Sequence, residues 1–144
     1  MNIVLTIIAA LAVALLAGLY VLARKSNTGS APGLIDGKLA ACPSTPNCVS
    51  SETCADTSHS IAPFPLGVWE ALPNAIGELG GVIVMIDETY LAAEFASPLL
   101  KFIDDVEFRL GENAVHVRSA SRVGHGDMGA NKKRIEAIRT AIER

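Results

Sequence analysis

Residues 104–121 read D-D-V-E-F-R-L-G-E-N-A-V-H-V-R-S-A-S. Val106, Phe108 and Leu110 alternate with Asp105, Glu107 and Arg109. After a Gly-Glu-Asn-Ala connection, Val115 and Val117 alternate with His116 and Arg118. Period-two alternation on both sides of a short glycine-containing loop is the pattern of an antiparallel hairpin with one apolar face. One register keeps that face intact. Leu110 pairs with Val115 and Phe108 with Val117, because a slip of one residue would set Phe108 against His116 and mix the faces. The same register sets Arg109 opposite His116 and Glu107 opposite Arg118. The second pair is an ion pair that contributes about 0.2–1 kcal/mol if exposed. Farther along, Val106 meets Ser119 and Asp104 meets Ser121, so the apolar face turns polar at one end of the sheet.

The pattern extends outward from this hairpin. Tyr90–Ser97 (Y-L-A-A-E-F-A-S) alternates in the same way, and Val82–Ile86 is a continuous apolar run expected as a buried strand. Leu66–Leu79 carries Trp69, Leu72, Ile76 and Leu79 at helical spacing and stops at Gly80-Gly81. Pro73 inside it should kink or split the helix, and Trp69 is expected as a core anchor. Asn131–Glu143 is helical again, with Ile135, Ile138 and Ile142 as its apolar stripe. Short connections between the strands imply antiparallel pairing. The expected fold is α+β: an antiparallel four-stranded sheet flanked by two helices, in the order α-β-β-β-β-α.

The chain has 144 residues, is 50% hydrophobic and carries a formal charge of −3. A near-neutral balance gives no nucleic-acid footprint, so no nucleic-acid partner is expected. Much of the apolar content lies in Ile3–Ala23, which has no charged residue. At about 1.5 Å per residue this run reaches about 30 Å, the thickness of a bilayer's hydrocarbon core. A cleaved signal peptide would show a basic start and a shorter apolar core, whereas Met1-Asn2 is uncharged. The expected organisation is a single-pass transmembrane anchor at 3–23, a flexible tether at 24–41 rich in Ser, Gly and Pro, and a folded domain at 42–144. Ala10, Ala14 and Gly18 recur at a spacing that permits close helix approach. A protein partner in a membrane complex is therefore a candidate, beside the simpler lipid-facing anchor.

Orientation signals conflict. Arg24 and Lys25 follow the span, which by the positive-inside rule places the soluble part in the cytoplasm. Cys42, Cys48 and Cys54 are evenly spaced and form no C-x-x-C pair, which argues against a zinc ribbon. A Cys42–Cys48 disulfide would suit an oxidising compartment, and three ordinary thiols are the alternative.

Residues 122–134, R-V-G-H-G-D-M-G-A-N-K-K-R, contain G-x-G-x-x-G. A dinucleotide site needs those glycines inside a β-α-β unit, with an acidic residue about 20 positions later. Neither follows here, and no Walker spacing precedes Lys132, so no nucleotide or other cofactor is expected. Lys132, Lys133 and Arg134 open the last helix, where the macrodipole disfavours cations. Either solvent screens them, or an anion offsets them: Asp127 from the loop, or a phosphate-like ligand.

The register thus gathers Asp104, Ser119, Ser121 and Arg122 at one sheet end, near Asp127, Asn131, Lys132 and Arg134. One reading is a hydrogen-bonded plug; the other is a pocket for a small anionic ligand. An enzyme alternative, a hydrolase, would use Ser119 or Ser121 with His125 or Asp127, but no G-x-S-x-G elbow occurs. His116 points to the opposite face from the serines, so a metal site from His116, His125 and Asp127 is not expected.

Taken in order, C-P-S-T-P-N-C-V-S-S, W-x-x-L, Y-L-A-A-E, F-I-D-D-V-E-F and R-S-A-S-R-V-G-H-G-D-M-G-A-N-K-K-R-I-E resemble the DUF1499 family over about residues 40–143. The family has no established activity. Its members are similar in being exported or membrane-associated, which implies a single-pass protein of the bacterial inner membrane with its domain in the periplasm. The resemblance implies the Cys42–Cys48 bridge and leaves Cys54, outside the motif, as the candidate free thiol. The expected function is a membrane-tethered binding or assembly module for a partner or a small anionic ligand near the membrane surface.

Overall fold

The computed structural model describes residues 2–52 and 57–144, so Cys54 lies outside the described residues. Helix α1 (Ile3–Thr28) continues the apolar run for 26 residues, is long and apolar enough to cross a membrane, and has a mean hydropathy of 2.6 over its most apolar window. Strands β1 (Leu34–Ile35) and β2 (Lys38–Leu39) form a small hairpin, and β3 (Cys48–Ser50) follows. A 3-10 segment (Leu66–Ala71) leads into α2 (Leu72–Glu78), then β4 (Val82–Ile86), β5 (Tyr90–Ala96), β6 (Ile103–Leu110), β7 (Val115–Ser121) and α3 (Ala130–Ile142). The large sheet is antiparallel throughout, in the order β3-β7-β6-β5-β4. The chain is α+β, as expected, with five strands in the main sheet rather than four.

The β6–β7 register is the one the apolar face demanded: Leu110 pairs Val115, Phe108 pairs Val117, Glu107 pairs Arg118 and Asp104 pairs Ser121. Val106, Phe108, Val115 and Val117 are fully buried with Leu91, Ala93, Leu72, Ile76, Ile135 and Ile138, so α2 and α3 cover this face. Full burial of such side chains contributes about 1.5–3 kcal/mol each. Pro73 acts as its chemistry dictates. The expected helix is split, 3-10 before Leu72 and α after it, with Pro73 in the first turn, where a missing N–H costs nothing. Trp69 is half-buried against the core.

Three features depart from the sequence reading. First, β4 is not buried. It is the sheet's edge, and Val82, Val84, Met85 and Ile86 are all at least half exposed. A continuous apolar run cannot distinguish a central strand from an edge, and of β4 it is Ile83 that packs against the core. Second, β3 was hidden among prolines and serines. Its pairing with β7 (Cys48 to Ala120) is clamped by a disulfide, Cys42–Cys48, across a sequence separation of 6. Cys42→Ser should therefore lower the guanidinium midpoint, by about 2 kcal/mol of stability from the lost loop constraint. Third, the stretch expected as a flexible tether packs. Leu39 and Ala40 are buried, Ser26 is fully buried, and Leu39 joins Tyr90 and Ala92 in a small apolar cluster on the sheet's second face. That face would otherwise leave Tyr90, Ala92 and Cys48 in water.

Candidate functional site

The polar end of the helix-covered face assembles largely as the register requires. Arg134 pairs with Asp104 at 2.6 Å. Ser119 donates to Asn131 Oδ1 at 2.6 Å and accepts from Arg134, while Asn131 Nδ2 donates to Ser121, to Asp127 and to the Asn47 carbonyl. Asn131 and Ser119 are fully buried. Every group that was a candidate nucleophile is thereby engaged inside the protein. His125 is exposed, and the hydrogen bonds of both serines run to Asn131 rather than to His125 or Asp127. Among the described residues no group of three or more His, Cys, Asp or Glu side chains gathers in metal-binding proximity.

Asp127 resolves the three cations at the start of α3. Its carboxylate accepts from the backbone N–H of Gly129 and of Asn131, at 2.9 and 2.8 Å. This places a negative charge over the helix N-terminus. Lys132 and Lys133 are exposed and Arg134 is drawn to Asp104. Burial pushes the Asp127 pKa up, but the hydrogen bonds from Asn131 and Gly129 outweigh it and hold the group below its ordinary value of 3.8. A depressed folded-state pKa contributes stability above the unfolded value and loses it as pH falls through the folded value. Asp127→Ala should cost about 1–2 kcal/mol at neutral pH. The gap between variant and wild type in thermal melts should shrink as pH drops below 3.8.

Arg122 does not join this cluster. Alternation along β7 puts residues 119 and 121 on the helix-covered face and residues 118, 120 and 122 on the other. There Arg122 Nε and Nη2 hold Asp105 at 2.8 and 2.7 Å, Nη2 also meets Glu94, and Nη1 donates to the Ser26 carbonyl at 3.0 Å. Ser26 in turn accepts from the Ile103 N–H at 2.7 Å, and Asn27 donates to the Lys101 carbonyl. The last turn of α1 is thus bolted to the start of β6 and the end of β7.

The same face carries a second buried pair. Glu107, fully buried, accepts from Arg118 at 2.9 Å, from the Tyr90 hydroxyl at 2.8 Å and from the Gly33 N–H at 2.9 Å. Burial, and then the hydrogen bond to Glu107, push the Tyr90 pKa far up, so the phenol stays a donor. Glu107–Arg118 is therefore not the solvent-exposed pair its alternation suggested. Among the described residues, the buried side-chain polar atom without a protein partner is Arg118 Nε. Arg118 lines a cavity of about 320 Å³ with Lys25, Ser30, Asp105, Ala120 and Arg122. Of the three cations lining this cavity, Arg118 is paired with Glu107 and Arg122 with Asp105 and Glu94.

A family model described as "Protein of unknown function (DUF1499)" matches residues 38–142. The chain belongs to the DUF1499 family. No curated protein and no solved structure matches it.

Within this DUF1499 domain, the candidate residues divide in three. Asp104, Ser119, Ser121, Asp127, Asn131 and Arg134 lock α3 to the sheet, Lys132 is solvated, and Arg122 belongs to the opposite face. Sequence reasoning missed Arg118 and Lys25 as site residues. Strand alternation from Arg122 back to Arg118 was the available signal; the covering by residues 29–40 was not legible.

Proposed function

We propose that this DUF1499 protein is a membrane-anchored module that binds a small anionic group, a phosphate or carboxylate, in the cavity between the foot of α1 and the sheet. The observation that carries this is buried Arg118, whose Nε has no protein partner and which lines a cavity with Lys25 and Arg122. A buried donor without an acceptor costs about 1–3 kcal/mol, and an anion here would satisfy it by a charge-assisted bond. Lys25 stands two residues beyond Ala23, the last residue of the apolar run, which supports a cavity at headgroup depth. Of the sequence-derived candidates the proposed site keeps Ser121 and Arg122, and it adds Lys25 and Arg118.

The test uses the full chain in nanodiscs of neutral phosphatidylcholine, titrated with inorganic phosphate, and in nanodiscs containing phosphatidylglycerol without added phosphate. Saturable phosphate binding by calorimetry that is lost in Lys25→Glu supports a soluble anion. A rise in melting temperature confined to the anionic nanodiscs, and again lost in Lys25→Glu, supports a lipid headgroup. Indifference of both preparations to Lys25→Glu overturns the reading.

The proposed location is the periplasmic side of a bacterial inner membrane. The Cys42–Cys48 disulfide supports an oxidising compartment, while Arg24 and Lys25 favour the opposite side. Alkaline phosphatase fused after residue 144 would be active on the periplasmic side and inactive in the cytoplasm.

A further inference from the structure

We infer that the domain makes a second contact with the bilayer: the β5–β6 turn (residues 97–102) and the β7–α3 loop (residues 122–129) dip their apolar tips into the lipid beside the anchor. This rests on reading α1 as a membrane span, and the test below separates the two.

The argument starts from which part of α1 the domain touches. Within α1, Leu19, Ala23 and Ser26 are the residues that are not exposed. Their spacing of four and three puts them on one helix face. This less exposed face runs beyond the polar joint at Ser26 into the apolar run. Leu22 lines a cleft of about 340 Å³ together with Phe102, Val123, Gly126 and Met128. Leu22 lies about 6 Å farther along the helix axis than Ser26. Both loops thus rise to the level of an apolar turn of the anchor. A bilayer that covers Leu22 reaches them too.

What the loops present at that level fits lipid. Leu99 is 90% exposed and Met128 is 97% exposed, the two most exposed large apolar side chains among the described residues. Leu100 stands beside Leu99 and is also exposed. The β5–β6 turn is held shut by Ser97, whose N–H bonds the Phe102 carbonyl and whose hydroxyl accepts from the Phe102 N–H, so Leu99 projects from a fixed base. Lys101, exposed in the same turn, sits beside the last turn of α1, where its carbonyl accepts from Asn27, two and three residues along from Lys25 and Arg24. Apolar tips flanked by cations are the composition of an interfacial membrane contact. Exposed Leu and Met in water would gain nothing from this placement. The rigid joint through Arg122, Ser26 and Asn27 keeps the tips aligned with the anchor.

The test places an environment-sensitive fluorophore at single cysteines in Cys54→Ser full-length protein in phosphatidylcholine nanodiscs. Labels go at Leu99→Cys, Met128→Cys, Glu112→Cys in the turn at the far end of the sheet, and Ala12→Cys within α1. The expected result is a blue shift and several-fold weaker iodide quenching at 99, 128 and 12 than at 112, with quenching at 99 and 128 by lipids brominated near the headgroup. Protection at 12 with iodide quenching at 99 and 128 equal to that at 112 overturns the inference and leaves the anchor standing. Free quenching at 12 as well overturns both. Protection at 99 and 128 that lipid-borne bromine does not quench assigns the tips to a second protein surface and also overturns it.

Discussion

Glu107→Ala is expected to destabilise the domain by about 3–5 kcal/mol, enough to leave much of it unfolded at ordinary temperature. Glu107 is fully buried and is the common acceptor for Arg118, Tyr90 and Gly33. Removing it leaves a guanidinium charge and a phenol donor under residues 29–40 with nothing to bind. The asymmetry of buried pairs makes the test sharp. Glu107→Leu combined with Arg118→Met should recover most of the loss, because two apolar groups need no partners. Guanidinium unfolding of the full chain in detergent, followed by the fluorescence of its one tryptophan, measures both. A loss below about 1 kcal/mol in the single variant would mean that the pair is solvated.

Arg122→Ala is expected to cost a similar 3–5 kcal/mol, because Asp105 is 3% exposed and would keep its charge without a counterion. It should also loosen the joint between anchor and sheet, since the same guanidinium holds the Ser26 carbonyl. Spin labels at Tyr20 and Glu112, both exposed, should give a narrow distance distribution in the wild type and a broad one in the variant. Arg122→Lys should restore part of the stability but not the narrow distribution. A single ammonium cannot bridge Asp105, Glu94 and the backbone at once. A narrow distribution in Arg122→Ala would show that Ser26 and Asn27 suffice to fix the anchor.

Several elements were legible because local chemistry admits one answer. The β6–β7 register followed from keeping Phe108 and the valines on one face. The split at Pro73, the stop at Gly80 and the stripe of α3 each follow from one residue's geometry. The spanning length of α1 follows from an unbroken run without charge. For Lys132–Arg134 the sequence left solvent, Asp127 and a phosphate-like ligand open, and the bonds from Gly129 and Asn131 to Asp127 decide among them.

The candidate site was legible by half. That Asp104, Ser119, Ser121, Asn131 and Arg134 would meet could be read from register. Whether they would be left open or consumed by one another could not, since that depends on how closely α3 sits on the sheet. Arg122 follows Ser121 in sequence, but alternation along β7 sends it to the other face of the sheet.

By itself the sequence determined the α+β class, the hairpin pairing, the long apolar N-terminal helix and the family. All of these rest on interactions within a short window or on a pattern repeated along one element. Only the tertiary structure decided that residues 29–40 cover the second sheet face, that β3 extends the sheet, that β4 is left at its edge, and that Arg118 and Lys25 share a cavity. These depend on where distant segments come to rest. Water excluded between two surfaces turns Glu107–Arg118 from a marginal surface pair into a buried one, and no local pattern records that exclusion.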